Sequence, residues 1–177
     1  MRYADDAFAP ATRHRSGMAN LEAQFEQWQK RPPRDLIGDP LWRMTAYRIS
    51  LFMADLVRLD ARRLFDQGAP SHKVTQLESS VESVEANISE GYSKFSGKDR
   101  ARFFEMALAS AREARGWYRR SSQWLGTEEA DERRMLLTQV IKILTVAIPR
   151  ERSGGSERRI RRARKPHREN PASDGES

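Results

Sequence analysis

The sequence predicts an all-α protein, a bundle of four amphipathic helices followed by a basic tail. Apolar residues recur at three- and four-residue spacing along four consecutive stretches, the signature of helices with one buried face. Each stretch is bounded by capping residues and by glycine or proline. After the last of them, residues 158–168 hold seven Lys or Arg and no acid.

Residues 1–38 read as an N-terminal extension. Positions 1–20 lack periodicity and are expected to be disordered. Leu21, Phe25 and Trp28 share one helical face, so a short helix is expected over 21–30, ended by Pro32-Pro33. The bundle is placed at 39–149. Asp39-Pro40 supplies a capping carboxylate and a first-turn proline, which starts a helix expected over 40–66. Trp42, Thr45, Ile49, Phe52, Leu56 and Leu59 form its stripe, and Gly68 with Pro70 ends it.

Ser71 is read as the cap of a second helix, whose seam of Val74, Leu77, Val81, Val84, Ile88 and Gly91 suits side-by-side packing. Its opposite face carries Glu78, Glu82 and Glu85, expected in solvent. The helix is read as ending at Gly91, with Asn87 and Glu90 satisfying free backbone groups at the turn. Ser96 and Asp99 approximate a capping box for a third helix over 97–125, whose small residues permit close helix approach. Gly126 ends it.

Thr127 is expected to cap the fourth helix, with Glu128 and Glu129 at its positive end, and Pro149 to stop it. That helix is apolar around most of its circumference, so both faces need cover. One solution is a homo-oligomer with Leu136, Val140, Ile143 and Ile148 at the subunit interface. The other is that segment 21–30 folds back over it.

Net charge is +7 over 177 residues, distributed as +1 in residues 1–38, +2 in 39–149 and +4 in 150–177. A near-neutral body with a flexible cationic tail favours polyanions, nucleic acid first and an acidic protein surface second. Arg158, Arg159, Arg161, Arg162, Arg164, Lys165 and Arg168 are the tail candidates, and without an aromatic among them they offer phosphate contact but no base stacking. Arg112, Arg115 and Arg119 fall on one face of the third helix. They suit either phosphate binding or salt bridges, within the helix or between subunits, to Glu105, Glu113 or the acids of the second helix.

Residues Asn87-Ile88-Ser89-Glu90-Gly91, Phe103-Phe104 and Ala107-Leu108-Ala109-Ser110 carry a resemblance to a known family over about 39–149. The stretch resembles the small four-helix-bundle proteins encoded within ribosomal RNA intervening sequences. That family also includes the accessory variability determinant proteins of diversity-generating retroelements. Alanine is more usual there at Ser89, and the basic tail is not a general family feature. The resemblance implies an antiparallel up-down-up-down bundle assembled into a closed, pentameric ring. It also implies RNA and a reverse transcriptase as partners.

Chemistry is otherwise sparse. With no cysteine, disulfides and thiolate sites are excluded, and the three histidines do not form the Glu-x-x-His pairs of a dimetal bundle. No nucleophile, base and orienting group come together, so no enzyme, cofactor or metal is expected. With no apolar run long enough for a membrane, the expected location is the cytoplasm. The expected function is a non-enzymatic, RNA-binding scaffold, with a protein-interaction scaffold as the alternative.

Overall fold

The computed structural model describes residues 11–154, with side chains from residue 19 onward. Five α-helices are present, and no strand occurs among the described residues. They are α1 (Ala11–Gln29), α2 (Thr45–Asp66), α3 (Ser71–Tyr92), α4 (Gly97–Leu125) and α5 (Thr127–Arg152). Helix α4 packs between α3 and α5, while α2 packs against the same two helices, and α1 lies across α2 and α5. A single apolar core results, to which each of α2–α5 contributes fully buried side chains such as Met53, Leu77, Tyr118 and Leu144.

Several boundaries differ from the sequence expectation for identifiable reasons. Helix α1 begins at Ala11, ten residues before the expected start, in a segment whose alanine, arginine and methionine favour helix without any apolar stripe. Asp39 does cap, accepting from the Leu41 N–H at 2.7 Å, but it starts a short 3₁₀ turn, Pro40–Arg43. Extended backbone at Met44 then separates that turn from α2. Ser71 and Thr127 are first helical residues and make no capping hydrogen bond, while Ser96 caps α4 as expected, accepting from Asp99 N–H.

The end of α2 shows why Gly68 is needed. Ala69 N–H donates to the Leu64 carbonyl and Gly68 N–H to the Phe65 carbonyl, with Gly68 at φ +76°. This is the Schellman arrangement, and it buries Ala69 beside Leu64.

Pro149 does not stop α5, which continues to Arg152. A proline there removes one intrahelical bond. The final turn is held instead from outside, by Arg100–Glu151 at 3.0 Å and by Arg152 paired with Glu105 of α4.

Gly91 lies inside α3 rather than ending it. A side chain there would meet Phe103 Cβ at 2.9 Å and the Phe104 ring at 3.0 Å. Its role is therefore close approach of α3 to the aromatic start of α4. Because the helix runs past them, Asn87 and Glu90 do not cap its end: Asn87 Nδ2 donates to the Ser83 carbonyl at 2.7 Å, and Glu90 pairs with Lys94.

Three of the four residues expected at a subunit interface are already buried within this chain. Leu136, Val140 and Ile148 sit in the core, and only Ile143 is part-exposed. Leu21 of α1 joins that core, and Phe25 and Trp28 stack on each other at 6.1 Å and pack at a tilt against Phe52 and Trp42 at 5.4 to 5.6 Å. Trp28 Nε1 donates to Asp55 at 2.9 Å, which fixes α1 on α2. The N-terminal helix thus supplies cover that the sequence left open between two solutions. Leu59, expected on the buried stripe, is instead 54% exposed. The position one residue later, Asp60, is the buried one.

Candidate nucleic-acid interface

The inner face of α4 carries Ala107, Ala111, Ala114 and Tyr118, all buried, so its backbone lies close to its neighbours. A quarter-turn away, Arg112, Arg115 and Arg119 face α5 and line an open groove of about 540 Å³ with Arg134, Asp131 and Thr138. The expected ridge is thus the wall of an inter-helix groove, and a fourth arginine from α5 completes it. Arg134 was missed in the sequence because only the packing angle of α5 brings it opposite α4.

The groove's hydrogen bonds leave most of its cationic donors free. Arg115 Nη1 donates to Thr138 Oγ1 at 3.3 Å, and Thr138 in turn donates to the Arg134 carbonyl at 2.7 Å. Arg134 pairs with Asp131, and its buried Nε has no partner. Among the described residues Arg112, Arg115 and Arg119 form no ion pair. Two of the acids that the salt-bridge alternative offered are engaged elsewhere: Glu105 with Arg152, and Glu113 as acceptor from Trp117 Nε1. Four guanidinium groups against one carboxylate give the groove a net positive charge, the electrostatics that an anion would meet there. The remaining nucleic-acid candidates, Arg158 to Arg168, lie outside the described residues.

Beside the groove, and facing inward, is a polar cluster the sequence did not announce. Asp60 of α2 accepts from Arg133 Nε at 2.9 Å and Nη2 at 3.2 Å, and from the Tyr118 hydroxyl at 2.9 Å. Arg133 also reaches Glu129 at 2.9 Å. Burial works against the charged guanidinium, but the hydrogen bonds and charge of Asp60 outweigh it and hold the Arg133 pKa above its usual value. Burial and the Asp60 charge push the Tyr118 pKa well up. The one available signal was Asp60 itself, an acid on the apolar side of α2 between Val57 and Leu64.

The acidic face of α3 is less uniform than expected. Glu82 is exposed, but burial raises the pKa of both Glu78 and Glu85. At Glu78 the neighbouring Glu82 raises it further and Arg58 opposes the rise; at Glu85 the hydrogen bond from Tyr47 opposes it. The bundle therefore presents acid on α3 and base on α4 and α5.

The Gly91 approach onto Phe103 and Phe104 occupies the segment whose residues carried the family resemblance. Residues 62–146 match the family of 23S rRNA-intervening sequence proteins. The match to this intervening-sequence family runs from late α2 to near the end of α5. It includes Asn87–Gly91, all four groove arginines, Arg133 and Tyr118, and it leaves out their shared partner Asp60, α1 and the basic C-terminal segment. No curated protein and no solved structure matches the chain. Among the described residues no helix is long and apolar enough to cross a membrane, and no cluster of three His, Asp or Glu could hold a metal ion.

Proposed function

We propose that this protein is a non-enzymatic RNA-binding scaffold whose arginine groove between α4 and α5 receives the phosphate backbone. The observation that carries the reading is the groove itself: Arg112, Arg115, Arg119 and Arg134 converge there, and three of the four lack an ion-pair partner among the described residues. The family's printed description, with its reference to 23S rRNA, points the same way. Its positively charged C-terminal segment adds a second, sequence-independent contact.

Helices α2–α5 are read as an up-down-up-down bundle. Pairings of α2's end with α5's start (Arg63–Glu129) and of α4's start with α5's end (Arg100–Glu151) support that order. The homo-oligomer, a ring of five by the family resemblance, now rests on exposed Leu59, Phe65 and Val146 rather than on the buried face of α5. Service to a retroelement reverse transcriptase is the more specific form of the proposal. It rests on the resemblance of the Asn87–Gly91 and Phe103-Phe104 segments.

Binding of a structured RNA is measured across a salt series for the full chain, for 1–152 and for Arg112→Glu/Arg115→Glu/Arg119→Glu, with mass determined in parallel. The triple variant is expected to lower the log–log salt slope by roughly two to three units, as loss of that many phosphate contacts requires. Unchanged affinity and slope in both altered proteins would sink the reading. Absence of binding at low salt would favour a protein-interaction scaffold, for which half-exposed Leu59 and Phe65 on α2 are the natural contact.

A further inference from the structure

The turn joining α3 to α4 carries the most exposed large apolar side chain among the described residues. Phe95 is 92% exposed, and Tyr92, three positions earlier, is 38% exposed. An aromatic ring held in water is unfavourable by its apolar area, and none of the described residues covers this one. Its setting is cationic. From Tyr92 to Phe104 the chain has Lys94, Lys98, Arg100 and Arg102 against one acid, Asp99.

Two of these cations are committed and two are not. Lys94 pairs with Glu90 and sits 4.9 Å from the centre of the Phe103 ring, and Arg100 is tied to Glu151 and to the Lys94 carbonyl. These contacts fix the turn against α4 and α5. Lys98 and Arg102 are exposed, one helical turn apart on α4, and neither forms an ion pair among the described residues. The result is a free aromatic ring on a braced turn with two free cations beside it.

We propose that this turn is a binding site for unpaired nucleotides, with Phe95 stacking on a base and Lys98 and Arg102 holding adjacent phosphates. Every base has a π-face, so such stacking recognises single strands without reading sequence. The surrounding residues favour this ligand over a lipid surface. Ser93, Ser96 and Gly97 flank Phe95, so there is no contiguous apolar patch for a membrane to take up. The Arg100–Glu151 bridge also holds the end of α5 beside the turn, which braces the cationic side of the site.

This inference rests on the RNA-binding reading, and one experiment separates the two. The full chain is titrated with a dodecamer of unpaired uridines, with a fully paired RNA duplex of the same length, and with vesicles of equal phosphatidylserine and phosphatidylcholine. Phe95→Ala should weaken oligouridine binding by at least about 5-fold and leave the duplex within about 2-fold. Phe95→Trp should restore it. Equal effects of Phe95→Ala on both RNAs, or none on either, overturn the proposal, as does a loss confined to vesicle binding. Duplex binding by the unaltered chain without oligouridine binding overturns this site alone, and binding of neither RNA overturns both readings.

Discussion

Arg133 and Arg134 are consecutive residues of α5, yet one is the most enclosed cation of the bundle and the other lines its open groove. Arg133 points inward, where Asp60 and Glu129 accept from its donors at 2.9 to 3.2 Å and the Tyr118 hydroxyl donates to the same Asp60 at 2.9 Å. Arg134 points to the α4 side, with one carboxylate partner and a bare Nε. A rotation of about 100° between neighbours on a helix separates the two roles. The inward arginine links three helices, because Asp60 belongs to α2 and Tyr118 to α4. Of the outward four, Arg134 pairs only within α5, with Asp131, and among the described residues only Arg115 reaches across to another helix, at Thr138. The lesson is that arginine count and spacing say little until its carboxylates are located.

The sharpest way to break this contrast is to remove Asp60. Asp60→Ala leaves a buried guanidinium without its main partner and should cost about 3–5 kcal/mol in denaturant unfolding. The double change Asp60→Leu/Arg133→Met should recover most of that loss; if it does not, the site matters for packing rather than for charge. Glu85 is an intermediate case, a half-buried acid held by Tyr47. Its raised folded pKa means that the folded state binds the proton more tightly than the unfolded chain does. Stability attributable to Glu85 should therefore rise as pH falls from neutral towards 4.5, and level off below that value. Glu85→Gln should abolish that component of the pH profile while keeping the Tyr47 hydrogen bond; an unchanged profile would assign it to other acids. The smallest effect is expected in the groove. Arg112→Gln and Arg119→Gln should each change stability by no more than about 0.5 kcal/mol, and a larger loss would show that the groove is structural.

Helix α4 was legible to the residue because its signals are local: Ser96 caps it and Gly126 closes it. The same kind of signal misplaced the start of α2, since the Asp39 carboxylate can cap a 3₁₀ turn as well as an α-helix. Pro149 was misread because the contacts that carry α5 past it come from Arg100 and Glu105, about fifty residues away in sequence. The ridge of Arg112, Arg115 and Arg119 was legible as a helical face, but its fate was not. Whether those arginines would meet acids depended on where Glu105 and Glu113 turned. Asp60 and Arg133, separated by 73 positions, could be matched only once both helices were rotated into place. The cover over α5 was undecidable in the same sense, since Leu21 and Trp28 had no visible partner until α2 presented Asp55 and Phe52.

Helices α4 and α5 are joined by one residue, Gly126, at φ +93° and ψ 144°. With so short a joint and α4 packed along α5, the row of three arginines on α4 stands at a set distance from Arg134 before any ligand arrives. Association at such a groove forfeits little conformational entropy of the protein, and affinity should depend on how well the phosphate spacing of the ligand suits the groove. The groove would then discriminate among polyanions by geometry, a form of selectivity that needs no contact with a base.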